Sequence, residues 1–270
     1  MNKMKISIIT CSYNAVNTVE ETMKSVLSQK DADIEYIIID GLSNDGTGNI
    51  IKKYSDKIYK FVSEKDSGIY NAMNKGIKLS GGEIIGFLNS DDIYFDDLVA
   101  SKVIKIFENK KVDSIYGDLI YVTGNHNKIK RYWKSGDFNI NNFKKGWMPP
   151  HPAFFVKRDV YEKYGGFNEN YKISADYDLM MKLLYKNKIS TFYLPEILVK
   201  MKTGGVSNKF LQTARRLKED FAIMKEYNLG GFGGGLDVMF KKRFCKIDQY
   251  LNIHNVTIGS VDTVNYFVQI

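Results

Sequence analysis

The chain has 270 residues, of which 44% are hydrophobic and 26% charged, so it can bury a core and shows no sign of disorder. It has no run of about 18 apolar residues, which argues against a membrane-spanning helix, and the apolar run 6–9 is too short for a signal peptide. Its two cysteines, Cys11 and Cys245, offer neither a metal spacing nor a disulfide framework. We therefore expect a protein of a reducing compartment, the cytoplasm.

The formal net charge of +8 is compatible with a phosphate-bearing ligand, a nucleic acid or an anionic membrane, and also with a merely Lys-rich surface. The lysines are scattered and no nucleic-acid-binding motif is present, so we predict no nucleic-acid partner. The segment 241–246, KKRFCK, mixes basic and apolar residues. Such a segment favours a peripheral contact with anionic lipid at the inner face of the plasma membrane.

Strand and helix patterns alternate through the first 120 residues. Buried strands are predicted at 5–13, 36–39, 59–62, 83–88 and 114–121, and helices at 19–27, around 50–54, at 70–79 and at 96–108. This order is typical of an α/β fold with a mostly parallel sheet and helices on both faces.

The pattern loosens after residue 125, where the pair Pro149-Pro150 interrupts regular structure. A strand at 153–156, a helix at 176–185 and an amphipathic helix at 207–227 follow, and 230–235 reads as a glycine-rich connector. We predict one catalytic domain over residues 1–205 and a helical C-terminal extension over 206–270, which contacts a membrane surface or a partner. We assign no role to residues 251–270.

Polar residues stand at the predicted carboxyl ends of four successive strands, namely 10–14, Asp40, Asp66 and 89–92. Ligands of open parallel sheets bind beyond these ends, so the four groups indicate one crevice. Neither a dinucleotide-binding glycine motif nor a phosphate-binding P-loop is present. A bound diphosphate would then be neutralised most simply by Mg²⁺ or Mn²⁺ on carboxylate oxygens, for which Asp91 and Asp92 are candidates.

Four segments together resemble the inverting family 2 glycosyltransferases, which have the GT-A fold. They are SIITCSYN at 7–14, IDGLSNDGT at 39–47, FLNSDD at 87–92 and SADYDL at 174–179, and the resemblance covers roughly residues 5–200. It implies transfer of a sugar, with UDP-hexose or UDP-N-acetylhexosamine as the expected donor. The expected acceptor is a hydroxyl of a lipid-linked glycan in the assembly of bacterial surface polysaccharide.

The resemblance also implies roles for individual residues. Asp176 would be the general base, although Ala175 stands where many relatives carry Glu, and Asp178 is the alternative. Asp92 would hold the metal, and Trp147 and His151 would face the acceptor. In the donor site, the turn with Thr10, Tyr13 and Asn14 would contact the nucleoside, and Asp40 the base or ribose. Asp66, with Lys75 as a neighbour, would lie near the base, and Asp91 would face the ribose and diphosphate. Asn89 would also bind the donor.

Three other interpretations stay open at this point. A nucleotidyltransferase would carry a glycine-rich basic loop after the first strand, which is missing. An inactive binding protein with the same fold would not need Asp40, Asp91, Asp92 and Asp176. A nucleic-acid-binding module would carry motifs that this sequence lacks.

Processive synthases of the family add a Q-x-x-R-W motif. The stretch 212–216, QTARR, lacks the Trp, which favours a single addition.

Overall fold

A computed structural model describes residues 4–123, 128–203 and 210–229. The strands are β1 Lys5–Ser12, β2 Asp33–Asp40, β3 Lys60–Ser63, β4 Ile84–Phe87, β5 Ile93–Tyr94, β6 Ser114–Thr123, β7 Lys128–Trp133, β8 Phe154–Lys157 and β9 Thr191–Lys202. The helices are α1 Val19–Leu27, α2 Thr47–Lys52, α3 Ile69–Leu79, α4 Val99–Asn109, α5 Arg158–Tyr164, α6 Ala175–Met180 and α7 Phe210–Glu226. Two short 3-10 helices, Ile140–Lys145 and His151–Ala153, precede β8, and α6 continues as a π-helix over Met181–Lys186.

The described strands form one sheet in the order β3-β2-β1-β4-β8-β6-β9-β5, with β7 beside β6. β1, β2, β3 and β4 pair in parallel, so their carboxyl ends meet at one edge of the sheet. β8 runs antiparallel to both β4 and β6, and β6 and β9 are parallel to each other. β6 and β9 therefore also end at the edge where β1 to β4 end.

Two hydrophobic layers cover the two faces of this sheet. Alternate residues of β1 enter opposite layers: Ile6 and Ile8 pack with α1 and α4, whereas Ile9 and Cys11 pack with α3 and α6. This alternation follows from the two-residue period of a strand. The strand β2 is buried at every position from Glu35 to Asp40, as a strand covered on both faces must be.

The parallel half of the predicted sheet is confirmed, and the half after residue 88 is more complex than expected. β5, β7, β9 and α5 were not predicted. The longest of them, β9, contains Pro195, and a proline in an apolar run argues against a strand. The register between β6 and β9 shifts around this proline, pairing Tyr116 with Tyr193 but Asp118 with Ile197, so the irregularity accommodates it.

The helix α7 packs its buried Ile223 and Met224 into the same layer as α3 and α6. The predicted apolar stripe of this helix is wrong in part, because Ala214 is exposed and Asp220 is buried. No helix formed by the described residues has the length and hydropathy that crossing a bilayer requires. The basic segment 241–246, the connector 230–235 and residues 251–270 lie outside the described residues.

Candidate active site

The carboxyl ends of β1, β2 and β3 are tied together by one buried carboxylate, Asp40. It accepts hydrogen bonds from the hydroxyls of Ser12 (3.0 Å), Ser43 (2.5 Å) and Ser63 (2.7 Å), and from the backbone N–H of Ser43 (3.0 Å). Its side chain is fully buried. In this structure Asp40 therefore fixes the ends of β1, β2 and β3, and its oxygens are already occupied by donors of the protein.

Thr10 does not reach the surface. Its side chain is fully buried and its hydroxyl accepts a hydrogen bond from the Tyr36 hydroxyl at 3.1 Å. Strand alternation turns this side chain into the layer that contains Tyr36, and the contact of the 10–14 turn with the nucleoside stays a prediction. The following turn does reach solvent: Tyr13 is 67% exposed, and Asn14 adopts a positive φ of 49°.

Tyr13 and Asp66 meet above Gly41, just after the ends of β1 to β3. A Cβ at Gly41 would lie 2.6 Å from Asp66 Oδ2 and 3.3 Å from Tyr13 Cδ2, so only glycine leaves room for both. Asp66 also accepts the backbone N–H of Gly68 at 2.9 Å. Lys75 supports the loop that carries Asp66, since its Nζ lies 2.7 Å from Glu64 Oε1 and donates to the Lys65 carbonyl.

Asp91 and Asp92 follow β4 and have opposite environments. Asp92 is fully buried and accepts hydrogen bonds from the Lys202 backbone N–H (3.1 Å) and the Asn89 side-chain amide (3.0 Å). Burial, and next the charge of Asp91, raise the pKa of Asp92 well above its usual range. Asp91 is only partly buried. In this structure the Asp92 carboxylate holds β9 to the end of β4, and the assignment of the metal to Asp92 stays a prediction.

The residues at this edge fit a divalent cation that a nucleotide brings with it. The described residues contain no group of three or more His, Cys, Asp or Glu side chains able to hold a metal alone. A diphosphate supplies oxygen ligands itself, and Mg²⁺ in such sites commonly uses one or two carboxylates. Asp91, partly exposed at the end of β4, offers the hard oxygen ligand that this arrangement needs.

Asp176 and Asp178 point to different surroundings from the start of α6. Asp178 is 3% exposed and accepts a hydrogen bond from the Tyr227 hydroxyl at 3.1 Å, and its burial raises its pKa. Asp176 is partly exposed, and its Oδ1 accepts the Tyr177 backbone N–H at 2.8 Å. The Tyr70 hydroxyl lies 3.5 Å from the same oxygen. Asp178 thus joins α6 to α7, and Asp176 is the carboxylate that solvent reaches.

Tyr70 is a site residue that the sequence analysis missed. Its hydroxyl donates to the Ile173 carbonyl at 2.6 Å, and its ring stacks on Phe167 with centroids 5.5 Å apart. It therefore links α3, which follows the Asp66 loop, to the chain that enters α6. A tyrosine in the first turn of an amphipathic helix looks like an ordinary core residue, so no signal in the sequence distinguishes it.

Trp147 is partly buried in an aromatic cluster. Its indole N–H donates to the Ser135 carbonyl at 2.9 Å, and its ring meets Tyr116 and Phe143 edge to face. His151 lies against Phe87 at the end of β4 and against Phe167, with ring centroids 5.4 Å and 5.3 Å away. The contacts with Phe87 and Phe167 place His151 between the end of β4 and the segment that precedes α6.

His151 is 7% exposed, and burial lowers its pKa from 6.5 to about 4. The unfolded chain therefore binds more protons than the folded one between pH 6.5 and 4, and the free energy of unfolding falls as pH falls through this window. We expect His151 to contribute a loss of about 3 kcal/mol between pH 7 and pH 4. Urea denaturation at both pH values should show this loss in the unaltered protein relative to His151→Leu. An equal pH dependence in both proteins would contradict the prediction.

Comparison with known proteins identifies the family of the chain. The chain matches the family model described as Glycosyl transferase family 2 over residues 7–165, more than half its length, and it belongs to that family. It is 28% identical over 207 residues to a PGL/p-HBAD biosynthesis glycosyltransferase of Mycobacterium tuberculosis, covering 75% of this chain and 78% of that protein. An uncharacterized glycosyltransferase of Rickettsia typhi is 30% identical over 203 residues, covering 72% of this chain and 63% of that protein.

Solved structures share the fold at low identity. The Staphylococcus aureus TarS fragment in complex with UDP-GlcNAc superposes with a TM-score of 0.67 at 17% identity, covering 93% of this chain and 72% of the fragment. The chain spans 44% of the longer TarS structure. A mannosyltransferase of Pyrobaculum calidifontis in complex with GDP-Man and Mn²⁺ gives 0.63 at 15% identity, covering 91% and 70%. The protein is therefore a glycosyltransferase with the GT-A type of α/β fold.

Proposed function

We propose that the protein transfers one sugar, with inversion, from a UDP-linked hexose or N-acetylhexosamine to a hydroxyl of a lipid-linked glycan. The observation that carries this proposal is the pair of solvent-accessible carboxylates, Asp91 after β4 and Asp176 at the start of α6, on the carboxyl-end side of a parallel sheet. Strand ends of such sheets bind nucleotides. The absence of a bilayer-crossing helix among the described residues fits a protein that works at the cytoplasmic face.

The nucleoside side of the site consists of the turn after β1 and the loop after β3. The exposed ring of Tyr13 and the carboxylate of Asp66 lie together over Gly41 and offer a flat apolar surface beside hydrogen-bond acceptors. Asn14 continues this surface, and Asn89 stands nearer the phosphates at the end of β4. Asp40 and Lys75 contribute to the site indirectly, because they hold the loops that carry Tyr13 and Asp66.

Asp91 would hold Mg²⁺ or Mn²⁺ together with the diphosphate oxygens, and the cation would offset the charge that develops on the leaving group. The burial of Asp92 contributes indirectly, because it holds the end of β4 against Lys202 of β9. This contact keeps the loop that carries Asp91 in place. The proposal thus places the metal on Asp91, one residue before the sequence-based assignment, because Asp91 is the partly exposed carboxylate of the two.

Asp176 would accept the proton of the acceptor hydroxyl. The acceptor oxygen forms a bond to the anomeric carbon from the face opposite the diphosphate, the bond from that carbon to the phosphate oxygen breaks, and the nucleoside diphosphate leaves with the electron pair. The proton passes to an Asp176 oxygen. One carboxylate suffices, since no second acid has to protonate the leaving diphosphate.

Calorimetric titration with UDP, GDP and TDP, each with and without Mn²⁺, tests the donor class. We expect UDP to bind and Mn²⁺ to strengthen its binding. Titration with UDP-glucose and UDP-N-acetylglucosamine then selects the donor, whose turnover is measured as release of UDP. If GDP or TDP binds and UDP does not, the nucleotide that binds replaces UDP as the proposed carrier of the donor sugar. Failure of folded protein to bind any of the three would refute the donor site and favour an inactive protein that keeps the fold.

A further inference from the structure

The chain entering α6 is held by a carboxylate from α7. Glu219 Oε2 accepts hydrogen bonds from the backbone N–H groups of Ile173 (2.9 Å) and Ser174 (2.9 Å), and Oε1 accepts that of Lys172 (3.0 Å). A carboxylate that accepts three successive amides fixes the path of that backbone, because hydrogen bonds to a charged group are stronger than neutral ones. The bound segment ends two residues before Asp176.

The N-cap residue of α6 does not fix this backbone through its own side chain. Ser174 occupies the N-cap position, where a serine hydroxyl usually accepts an amide of the first turn. Its Oγ is buried, makes no capping bond and has no hydrogen-bond partner among the described residues. On the opposite side of the same peptide run, the Tyr70 hydroxyl donates to the Ile173 carbonyl. The segment is therefore held from α7 through its N–H groups and from α3 through a carbonyl.

Other contacts of the α7 segment with this region involve side chains, among them the hydrogen bond from the Tyr171 hydroxyl to Glu226 Oε2 at 3.2 Å. Ile223 and Met224 are buried against the core, and the Tyr227 hydroxyl donates to Asp178. Positions 219 and 223 lie on one face of α7, and Tyr227, the residue directly after α7, continues the four-residue spacing. Glu219 is the member of this face that bonds to the backbone preceding Asp176, whereas Tyr227 bonds to a side chain beyond it.

We propose that Glu219 is a positioning residue that orients Asp176 for deprotonation of the acceptor, an inference that rests on the proposed function of Asp176. The family match ends at residue 165, so this role lies outside the matched segment. Loss of the carboxylate would release the three amides and let the first turn of α6 shift. A displacement of about 1 Å at a reacting group can lower the rate on the order of 100-fold.

The test compares Glu219→Ala with Tyr227→Phe, a variant of the residue directly after α7 that loses its bond to Asp178 but keeps Glu219. Turnover is measured as release of UDP from the nucleotide sugar selected by titration, with water as the acceptor. Amide hydrogen exchange is followed in peptides covering residues 171–180. We expect Glu219→Ala to lower kcat on the order of 10- to 100-fold, to leave the Kd for UDP within about twofold, and to accelerate exchange at 172–174.

Glu219→Gln keeps one carbonyl oxygen and should fall between the alanine variant and the unaltered protein. Tyr227→Phe should keep kcat and the slow exchange at 172–174 even if its melting temperature falls. Unchanged kcat in folded Glu219→Ala, or an equal loss in Tyr227→Phe, would overturn the positioning role. If Asp176→Asn keeps full turnover, the proposed function of Asp176 fails and this inference fails with it. Unchanged exchange at 172–174 would refute the hold of Glu219 on the segment independently of activity.

Discussion

Asp176→Asn is expected to lower kcat for UDP release about 10²- to 10⁴-fold, the range by which a general base accelerates reactions. Asparagine keeps the shape of the side chain and the acceptor for the Tyr177 N–H, but it cannot take a proton from the acceptor hydroxyl. The Kd for UDP should stay unchanged, because Asp176 acts on the other reactant. Steady-state kinetics with calorimetry on the same preparation separates the two quantities.

Asp178→Asn is the matched control, with the same chemical change two residues further along α6. Its carboxyl group is buried, and burial raises its pKa, so the neutral amide replaces it at small cost while it can still bond to the Tyr227 hydroxyl. We expect kcat to fall by less than about fivefold, in keeping with a structural position. A large loss in Asp178→Asn together with a small one in Asp176→Asn would reverse the assignment of the base.

Asp91→Asn is expected to remove the strengthening of UDP binding by Mn²⁺ and to lower kcat about 10²- to 10³-fold, as loss of a group that stabilises developing charge does elsewhere. Asp91 is the partly exposed carboxylate after β4. Removing its charge removes the protein's oxygen ligand for the cation beside the diphosphate. Calorimetry with UDP, with and without Mn²⁺, and UDP release measure the two effects.

Asp92→Asn distinguishes a metal ligand at Asp91 from the sequence-based assignment of the metal to Asp92. The buried Asp92 carboxyl, whose pKa is raised, accepts the Lys202 N–H through one oxygen, which asparagine can still do. We expect this variant to keep the metal dependence of UDP binding. If Asp92→Asn loses it and Asp91→Asn does not, the metal belongs to Asp92 and the end of β4 must rearrange when the nucleotide binds.

The sequence determined the elements whose pattern is local. The apolar runs at 5–13, 36–39 and 83–88 predicted β1, β2 and β4, and each became a buried strand, because a strand covered on both faces has to be apolar throughout. The meeting of these strand ends at one edge also followed from the sequence, since β1 to β4 pair in parallel. β9 escaped detection because Pro195 contradicts a strand locally, and only pairing with β6 and β5 resolves the conflict.

The direction and burial of individual side chains came from the tertiary structure alone. Adjacent residues such as Asp91 and Asp92 carry the same side chain, and the Lys202 amide of a distant strand decides which of the two is buried. The same holds for Asp176 and Asp178, where Tyr227 takes one carboxylate into the contact between α6 and α7. Thr10 turned inward to Tyr36, and Glu219 reached Ile173 and Ser174 from 45 or more residues away. Such contacts join parts of the chain that no local pattern connects, so they follow from the tertiary packing and not from the sequence motifs.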